Sequence, residues 1–263
     1  MTLQFLQLAT DDGVSTLTLS NLAKHNAMNF AMWQALPDLL QQTAEDRATR
    51  VLVLTGAGER AFCSGNDVSE FDQVRSTPAQ IEHYNELQRT VCERLAKLSK
   101  PTIAMIDGYC LGAGLEFALL CDFRYCTLAS RFAVPAVKLG LPYRHEDIVK
   151  LLDVIGPAHT REMVLGGRRI DGARAADIGL VHQLAPSREA LVRDVMELAG
   201  ELAASAPLSL AAAKATINES LRRDTAPDIA LCKKLADEVY ASQDYIEGRA
   251  AFAEKRKPRF EGR

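Results

Sequence analysis

Hydrophobic and polar residues alternate at the start of the chain and predict a β-hairpin. Residues 4–10 (QFLQLAT) and 14–20 (VSTLTLS) have the two-residue period of half-buried strands, and an Asp-Asp-Gly turn separates them. Residues 27–46 have helical spacing of their apolar positions, with a break or kink expected near Pro37. The uninterrupted apolar run Val51–Gly56 predicts a strand that is buried on both faces.

The middle of the chain continues to alternate strands and helices, whereas its end is helical. Helical spacing over 78–99 is followed by several patterns typical of strands. These patterns cover 102–108, 122–128 and 131–137. Beyond about Gly156 the segments are Ala-rich and have helical spacing throughout. The order of elements therefore predicts an α/β core followed by a helical C-terminal region.

Composition and charge narrow the class of protein. The chain has 263 residues, of which 48% are hydrophobic and 25% charged, as in a globular protein with a sizeable core. Its net charge of −3 gives no reason to expect nucleic acid or an anionic membrane as a partner. No apolar run is long enough for a membrane span, and residues 1–13 do not resemble a secretory signal. We therefore expect a cytoplasmic protein.

The cysteines and histidines do not have the spacing of a metal site. Six cysteines are scattered without a C-x-x-C pair, so we expect reduced thiols in a cytoplasmic core and no bound metal. They are Cys63, Cys92, Cys110, Cys121, Cys126 and Cys232.

One glycine motif resembles a dinucleotide-binding turn, but its context does not fit. Gly56, Gly58 and Ala61 match G-x-G-x-x-A directly after a strand. The polar residues 64–67 that follow would interrupt the required helix, and no second strand ending in an acid follows at the expected distance. A serine-hydrolase interpretation also fails, because the chain has no G-x-S-x-G motif.

Two glycine-bearing loops, 63–71 (CSGNDVSEF) and 111–117 (LGAGLEF), each connect a buried strand to a helix. The Asp67–Glu70 spacing predicts a capping box and a helix that begins near Val68. Two helix N-termini could point backbone N–H groups at one spot and stabilise a developing oxyanion. The alternative is that both loops are tight packing turns, and the residue types alone leave both interpretations open.

Several motifs in order resemble the enoyl-CoA hydratase/isomerase, or crotonase, family. They are HNAMN (25–29), ERAFCSGNDVSEF (59–71), GYCLGAGLEFALLCDFRYCTLASRFAVPAVKLGLP (108–142) and AAFAEKRKPRF (250–260). The resemblance implies a spiral core of repeated ββα units over 1–200, which carries the CoA and catalytic site. It further implies that helices in 201–263 drive assembly into a homotrimer or hexamer.

The resemblance also implies an acyl-CoA substrate, with coenzyme A as part of the substrate and no other cofactor. The thioester oxygen would accept hydrogen bonds from the backbone N–H groups of Asn66 and Ala113, which stabilise an enolate. CoA itself would contact residues near both ends of the chain. By position these are Lys24, Ala27, Ser64, Asn66, Phe252 and Lys255. Without the resemblance, the lysines would be interpreted as surface charges and Phe252 as a core aromatic residue.

Hydratases of this family use two glutamates, and only one is present. Glu116 matches the first, but Ala136 occupies the position of the second, and a methyl group transfers no proton. The nearby His145, Glu146 and Asp147 could substitute, although the two acids also suit the first turn of a helix.

The loop 135–144 and the C-terminal tail resemble the methylmalonyl-CoA decarboxylase subgroup, in which a tyrosine at the position of Tyr143 faces the substrate carboxylate. One departure is Asn66, where that subgroup has histidine. We therefore expect an enolate-forming acyl-CoA enzyme, with decarboxylation of a short malonyl-type CoA as the narrower hypothesis. The alternatives are hydration by a non-standard acid/base set and a non-catalytic acyl-CoA-binding module.

Overall fold

The computed structural model describes residues 2–223 and 225–263. The strands in these residues are short and are spread over the first two thirds of the chain. They are β1 (Thr2–Leu3), β2 (Leu6–Asp11), β3 (Val14–Leu19), β4 (Val51–Gly56), β5 (Ala61–Cys63), β6 (Thr102–Ile106), β7 (Tyr109–Leu111), β8 (Phe123–Thr127), β9 (Arg131–Ala133), β10 (Ile170–Asp171) and β11 (Gln183–Ala185).

Helices lie between the strands and then continue alone to the C-terminal tail. They are α1 (Phe30–Glu45), α2 (Phe71–Val74), α3 (Pro78–Ala96), α4 (Ala113–Leu120), α5 (His145–Gly166), α6 (Gly172–Asp177), α7 (Arg188–Ala204), α8 (Pro207–Ser220), α9 (Ile229–Ala241) and α10 (Gln243–Glu254). Short 3₁₀ turns cover Leu22–Lys24, Val68–Glu70 and Ala136–Lys138.

The strands form two sheets that alternate along the chain. The larger sheet has the order β1-β2-β3-β4-β6-β8-β11 and the smaller one β10-β9-β7-β5. In each of three successive units the first strand (β4, β6 or β8) joins the larger sheet and the second (β5, β7 or β9) joins the smaller one. A helix follows each pair, so the predicted repeated ββα units are present.

The N-terminal hairpin and the buried strands form as the sequence pattern predicts. Strands β2 and β3 pair antiparallel from Leu6 and Leu19 to Asp11 and Val14. Every residue of β4 is buried, because β3 and β6 pair with it on both sides and helices cover its faces. A reciprocal capping box of Thr77 and Gln80 starts α3.

Three local predictions are wrong. Residues 30–45 form one continuous helix that contains Pro37, so the break expected there is absent, and the neighbours of Pro37 in α1 are anchored in the core. The Asp67–Glu70 capping box does not form, because Glu70 instead accepts the Phe30 N–H at the start of α1. The C-terminal region also contains strands, since β10 and β11 each add an edge strand to one of the sheets.

The N-terminus of α4 packs more closely against β5 than a side chain would allow. A Cβ atom added to Gly114 would lie 2.3 Å from the Cys63 carbonyl oxygen. Gly112 precedes the helix with φ at +52°, a left-handed conformation that favours glycine. These two glycines therefore fix where α4 begins and how closely it approaches the smaller sheet.

No helix within residues 2–223 and 225–263 combines the length and the apolar character that a membrane crossing requires.

We expect Gly114→Ala to destabilise the fold by about 1–3 kcal/mol, because the new methyl group would collide with backbone rather than with a movable side chain. The matched control is Gly200→Ala in α7, where no heavy atom lies within 4 Å of the added Cβ. That control should stabilise the protein by about 0.5–1 kcal/mol. Urea unfolding of both variants tests the packing, and equal midpoints would contradict it.

Candidate active site

Two loops meet at the edge of the smaller sheet and form the floor of a pocket. The Met28 N–H donates to the Gly65 carbonyl at 2.8 Å, and the Asp67 N–H donates to the Met28 carbonyl at 2.9 Å, so Asn66 is held in a bridge. A Cβ added to Gly65 would lie 3.9 Å from the Ala113 nitrogen. The loop that carries Asn66 and the start of α4 are therefore adjacent.

The backbone N–H groups of Asn66 and Ala113 are both available at this junction. Across the described residues, neither N–H donates to a protein acceptor. Ala113 is the first residue of α4, where backbone N–H groups have no partner within the helix. Both residues line the pocket, and their role as oxyanion donors remains a prediction.

The Asn66 side chain is fixed by two donors from different helices. Its Oδ1 accepts from Trp33 Nε1 at 3.1 Å and from Gln88 Nε2 at 3.3 Å. Trp33 in turn stacks on Phe117 of α4. The amide oxygen is thus occupied by structural hydrogen bonds, and the backbone beside it is held in place.

Glu116 lies in the first turn of α4 and is buried, with 6% of its surface exposed. Arg144 Nη2 and Cys92 Sγ both donate to its Oε1, the latter at 2.8 Å. The position near the helix N-terminus and the guanidinium both favour a carboxylate at this point. Glu116 therefore lines the pocket one turn beyond the Ala113 N–H.

Arg144 joins Glu116 to a second buried carboxylate, Asp147. Arg144 Nε and Nη2 donate to the two Asp147 oxygens at 2.9 and 3.0 Å. Asp147 lies in the first turn of α5 and points into the pocket, whereas the adjacent His145 and Glu146 are exposed. The helix-start interpretation of Asp147 is correct, but it omits the burial that brings this carboxylate to Glu116.

The surroundings of Glu116 favour its protonated form. Burial raises the pKa of Glu116 to about 8, and the negative charge of Asp147 contributes to that rise. The Arg144 guanidinium opposes it, but by less than burial and Asp147 raise it. The pocket thus holds a carboxylic acid that retains its proton near neutral pH.

Tyr143 and Ala136 also line this pocket. The Tyr143 hydroxyl is buried and has no hydrogen-bond partner among the described residues. Burial raises the pKa of Tyr143, and the charges of Asp147 and Glu116 raise it further. The pocket lining therefore includes one methyl group and one tyrosine whose buried hydroxyl is uncharged.

Three of the residues expected to contact CoA cluster beside the pocket. Ser64 Oγ donates to the Lys24 carbonyl at 3.0 Å, and Lys24 Nζ lies 3.3 Å from Ser69 Oγ. Ala27 is buried in the same segment. Ser64 lines the pocket itself. Their roles in binding CoA remain predictions.

Phe252 and Lys255, which were also expected to contact CoA, lie elsewhere in this chain. Phe252 is 87% exposed on α10, and Lys255 ends that helix with φ at +56°. Helix α10 packs against α9 and the C-terminal tail, and neither residue lines the pocket. Phe252 is thus not the core aromatic residue that its type alone would suggest, and its contact with CoA stays a prediction.

Three contacts of the pocket were not predicted from the sequence, namely those that Arg144, Gln88 and Cys92 make with Glu116 and Asn66. A signal was available for each. Tyr84, Gln88 and Cys92 recur every four residues and so share one face of the helix. Arg144 precedes Asp147 by three residues at the start of α5. Neither pattern reveals what the shared face touches, because Asn66 and Glu116 arrive from other elements.

Comparison with known proteins identifies the family. Residues 9–263 match the family model described as enoyl-CoA hydratase/isomerase. Because the match covers nearly the whole chain, the chain belongs to this family of acyl-CoA enzymes. The family expectation from the motifs is confirmed.

Similar curated proteins span the same length. The 2,3-dehydroadipyl-CoA hydratase of Escherichia coli is 34% identical over 250 residues, which cover 95% of this chain and 96% of that protein. The carnitinyl-CoA dehydratase of Proteus mirabilis is 32% identical over 264 residues, which cover 99% of each.

Solved structures confirm the fold. A crystal structure of an enoyl-CoA hydratase/carnithine racemase from Magnetospirillum magneticum has a TM-score of 0.92 and 32% identity, covering 100% of this chain and 97% of that one. An enoyl-CoA hydratase from Bacillus anthracis has a TM-score of 0.92 and 30% identity, covering 99% and 100%. The predicted crotonase fold, an α/β core with C-terminal helices, is therefore correct.

The protonation of Glu116 predicts a pH-dependent stability. The pKa of Glu116 is raised on folding from an ordinary value of 4.5 to about 8, so between these values the unfolded chain loses the proton first. Ionisation of the unfolded chain then favours unfolding, and the free energy of unfolding should fall as pH rises through this window.

We expect Glu116→Gln to remove this pH dependence, because glutamine does not ionise. The free energy of unfolding of the variant, compared with that of wild type, should therefore increase between pH 5 and pH 8 by an amount on the order of 1–3 kcal/mol. Urea unfolding at several pH values measures the difference. Glu146→Gln, an exposed neighbour, controls for the loss of a carboxylate outside the pocket. A difference between Glu116→Gln and wild type that does not change with pH would contradict the protonated state.

Proposed function

We propose that this chain adds water to an enoyl-CoA thioester, with Glu116 as the acid and Asp147 as the base. The observation that carries the proposal is that these two carboxylates converge in one pocket beside the Asn66 and Ala113 N–H groups. Hydration requires one group that gives a proton and one that accepts it. Asp147 thus takes the place of the second glutamate that Ala136 removes.

The proton transfers balance over one turnover. Asp147 accepts a proton from water as the water oxygen bonds to the β-carbon, and the electron pair of the double bond moves towards the thioester oxygen. The Asn66 and Ala113 N–H groups stabilise the resulting enolate. Glu116 then gives its proton to the α-carbon. The proton gained by Asp147 then passes to Glu116, which restores the starting state.

Names of similar proteins support water chemistry. The Escherichia coli and Proteus mirabilis relatives are a hydratase and a dehydratase of CoA thioesters. We further propose that CoA lies along Lys24, Ala27 and Ser64, and that Phe252 and Lys255 contact it in a trimer or hexamer of the chain.

We expect the purified protein to hydrate crotonyl-CoA, with heavy oxygen from labelled water appearing in the product by mass spectrometry. Glu116→Gln and Asp147→Asn should each lower kcat by about 10²–10⁴-fold, because each removes one proton-transfer group. Glu146→Gln is the matched control and should keep the wild-type rate. Full activity of a folded Asp147→Asn protein would eliminate Asp147 as the base.

Decarboxylation of a malonyl-type CoA is the second candidate, favoured by the buried Tyr143 hydroxyl that lacks a partner. A substrate carboxylate could accept from this hydroxyl, and loss of CO₂ forms the enolate without a base. Glu116 would then protonate the α-carbon.

The second candidate requires that methylmalonyl-CoA lose CO₂ and that Tyr143→Phe slow this loss while sparing any hydration. Release of CO₂ without hydration of crotonyl-CoA would favour this candidate over the first. Binding of CoA thioesters without turnover of either substrate would instead support a non-catalytic acyl-CoA-binding module.

The Ala113 N–H can be removed without changing the catalytic side chains. Proline is tolerated at the first position of a helix, so Ala113→Pro should keep α4 and lose one oxyanion donor. We expect kcat to fall by about 10²–10³-fold while free CoA still binds. Kinetics together with calorimetric CoA binding test this. A folded variant with wild-type kcat would show that this N–H does not contact the thioester oxygen.

A further inference from the structure

Arg75 lines the same pocket from the end of α2 and takes no part in the proposed proton transfers. Its guanidinium carbon lies 5.1 Å from the centre of the Phe71 ring and 5.0 Å from that of Tyr84. Its Nη2 donates to Asn85 Oδ1 at 3.0 Å. Two rings and one amide therefore hold a half-buried guanidinium in a fixed position.

The charges around the pocket leave Arg75 without a partner. Arg144 pairs with both Glu116 and Asp147. Among the described residues, Arg75 forms no ion pair with a carboxylate. Of the charged groups that line the pocket, the Arg75 guanidinium is the one that no carboxylate of the described residues meets. The pocket is therefore suited to bind an anion.

The surroundings of Arg75 disfavour its positive charge. Burial lowers the pKa of Arg75, and the positive charge of Arg144 lowers it further. Charged groups removed from water are stable when an opposite charge meets them, and arginine matches a carboxylate with two parallel hydrogen bonds. A bound carboxylate would relieve both effects at once.

Helix α3 gives the order of groups along the pocket. Cys92 contacts Glu116, Gln88 contacts Asn66, and Tyr84 lies under Arg75. Eight residues of helix separate the first contact from the last, a rise of about 12 Å. Arg75 thus lies at the opposite end of this face from the acid Glu116, with the Asn66 loop between them.

We propose that Arg75 binds a carboxylate at the far end of the acyl chain, so that the preferred substrates are enoyl-CoA thioesters of dicarboxylic acids. This inference rests on the proposed function only in assuming that the acyl group is unsaturated. The preference itself concerns the acyl group and should appear in binding as well as in turnover. A phosphate of CoA offers the same chemistry to a guanidinium, and the experiment must separate the two sources.

The test uses saturated thioesters, which bind but cannot be hydrated. Calorimetry compares adipoyl-CoA with hexanoyl-CoA, which have the same chain length and differ in the terminal carboxylate. We expect the wild-type protein to bind adipoyl-CoA at least about tenfold more tightly than hexanoyl-CoA. Arg75→Met should abolish this preference, whereas hexanoyl-CoA affinity, which also reports correct folding, should stay within about twofold. Arg75→Lys should retain part of the preference.

Three controls decide the source of the anion. Arg89→Met on the exposed face of α3 should leave the preference intact. The preference should persist for the matching pantetheine thioesters, which lack the nucleotide. Free CoA should bind wild type and Arg75→Met equally. Equal affinities of wild type for the two acyl-CoAs would overturn the proposal, as would an Arg75→Met variant that loses the same factor for free CoA.

These outcomes are independent of hydration. Failure to hydrate both crotonyl-CoA and the dicarboxylic 2,3-dehydroadipyl-CoA, with an intact adipoyl preference, would reject the proposed function and keep the carboxylate subsite. Hydration without that preference would reject the carboxylate subsite and keep the proposed function.

Discussion

The start of α4 lies against β5 at a distance that leaves no room for a side chain, and the arrangement of the pocket depends on this contact. Gly114 approaches the Cys63 carbonyl so closely that a methyl group would lie 2.3 Å from it. The same approach exposes the Ala113 N–H beside Asn66 and places Glu116 one turn into the pocket. Packing at one helix terminus thus aligns a hydrogen-bond donor with an acid.

A second constraint follows from burying Glu116. Its buried side chain meets Arg144, which is itself held by Asp147. Removal of one member would leave the others uncompensated, so the three residues should behave as one unit in stability and in proton transfer. Arg75 lies outside this unit, which is why its charge remains available to a ligand.

Much of the fold could be predicted from local pattern. The hairpin of β2 and β3, the buried β4 and helix α3 each form where periodicity and turn residues indicate. Edge strands such as β10, only two residues long, were missed because such segments carry no detectable period. The break expected at Pro37 is absent because the neighbours of Pro37 pack in the core and keep α1 continuous.

The sequence by itself determined the family, the glycine-bearing loops, Glu116 and the loss of a second glutamate at Ala136, because these lie in contiguous motifs. Only the tertiary structure decided that Asp147 lies in the same pocket as Glu116, that Arg144 joins the two, and that Glu70 accepts the Phe30 N–H at the start of α1. These pairs come from separate elements, and local sequence does not encode which residues meet when sheets and helices pack.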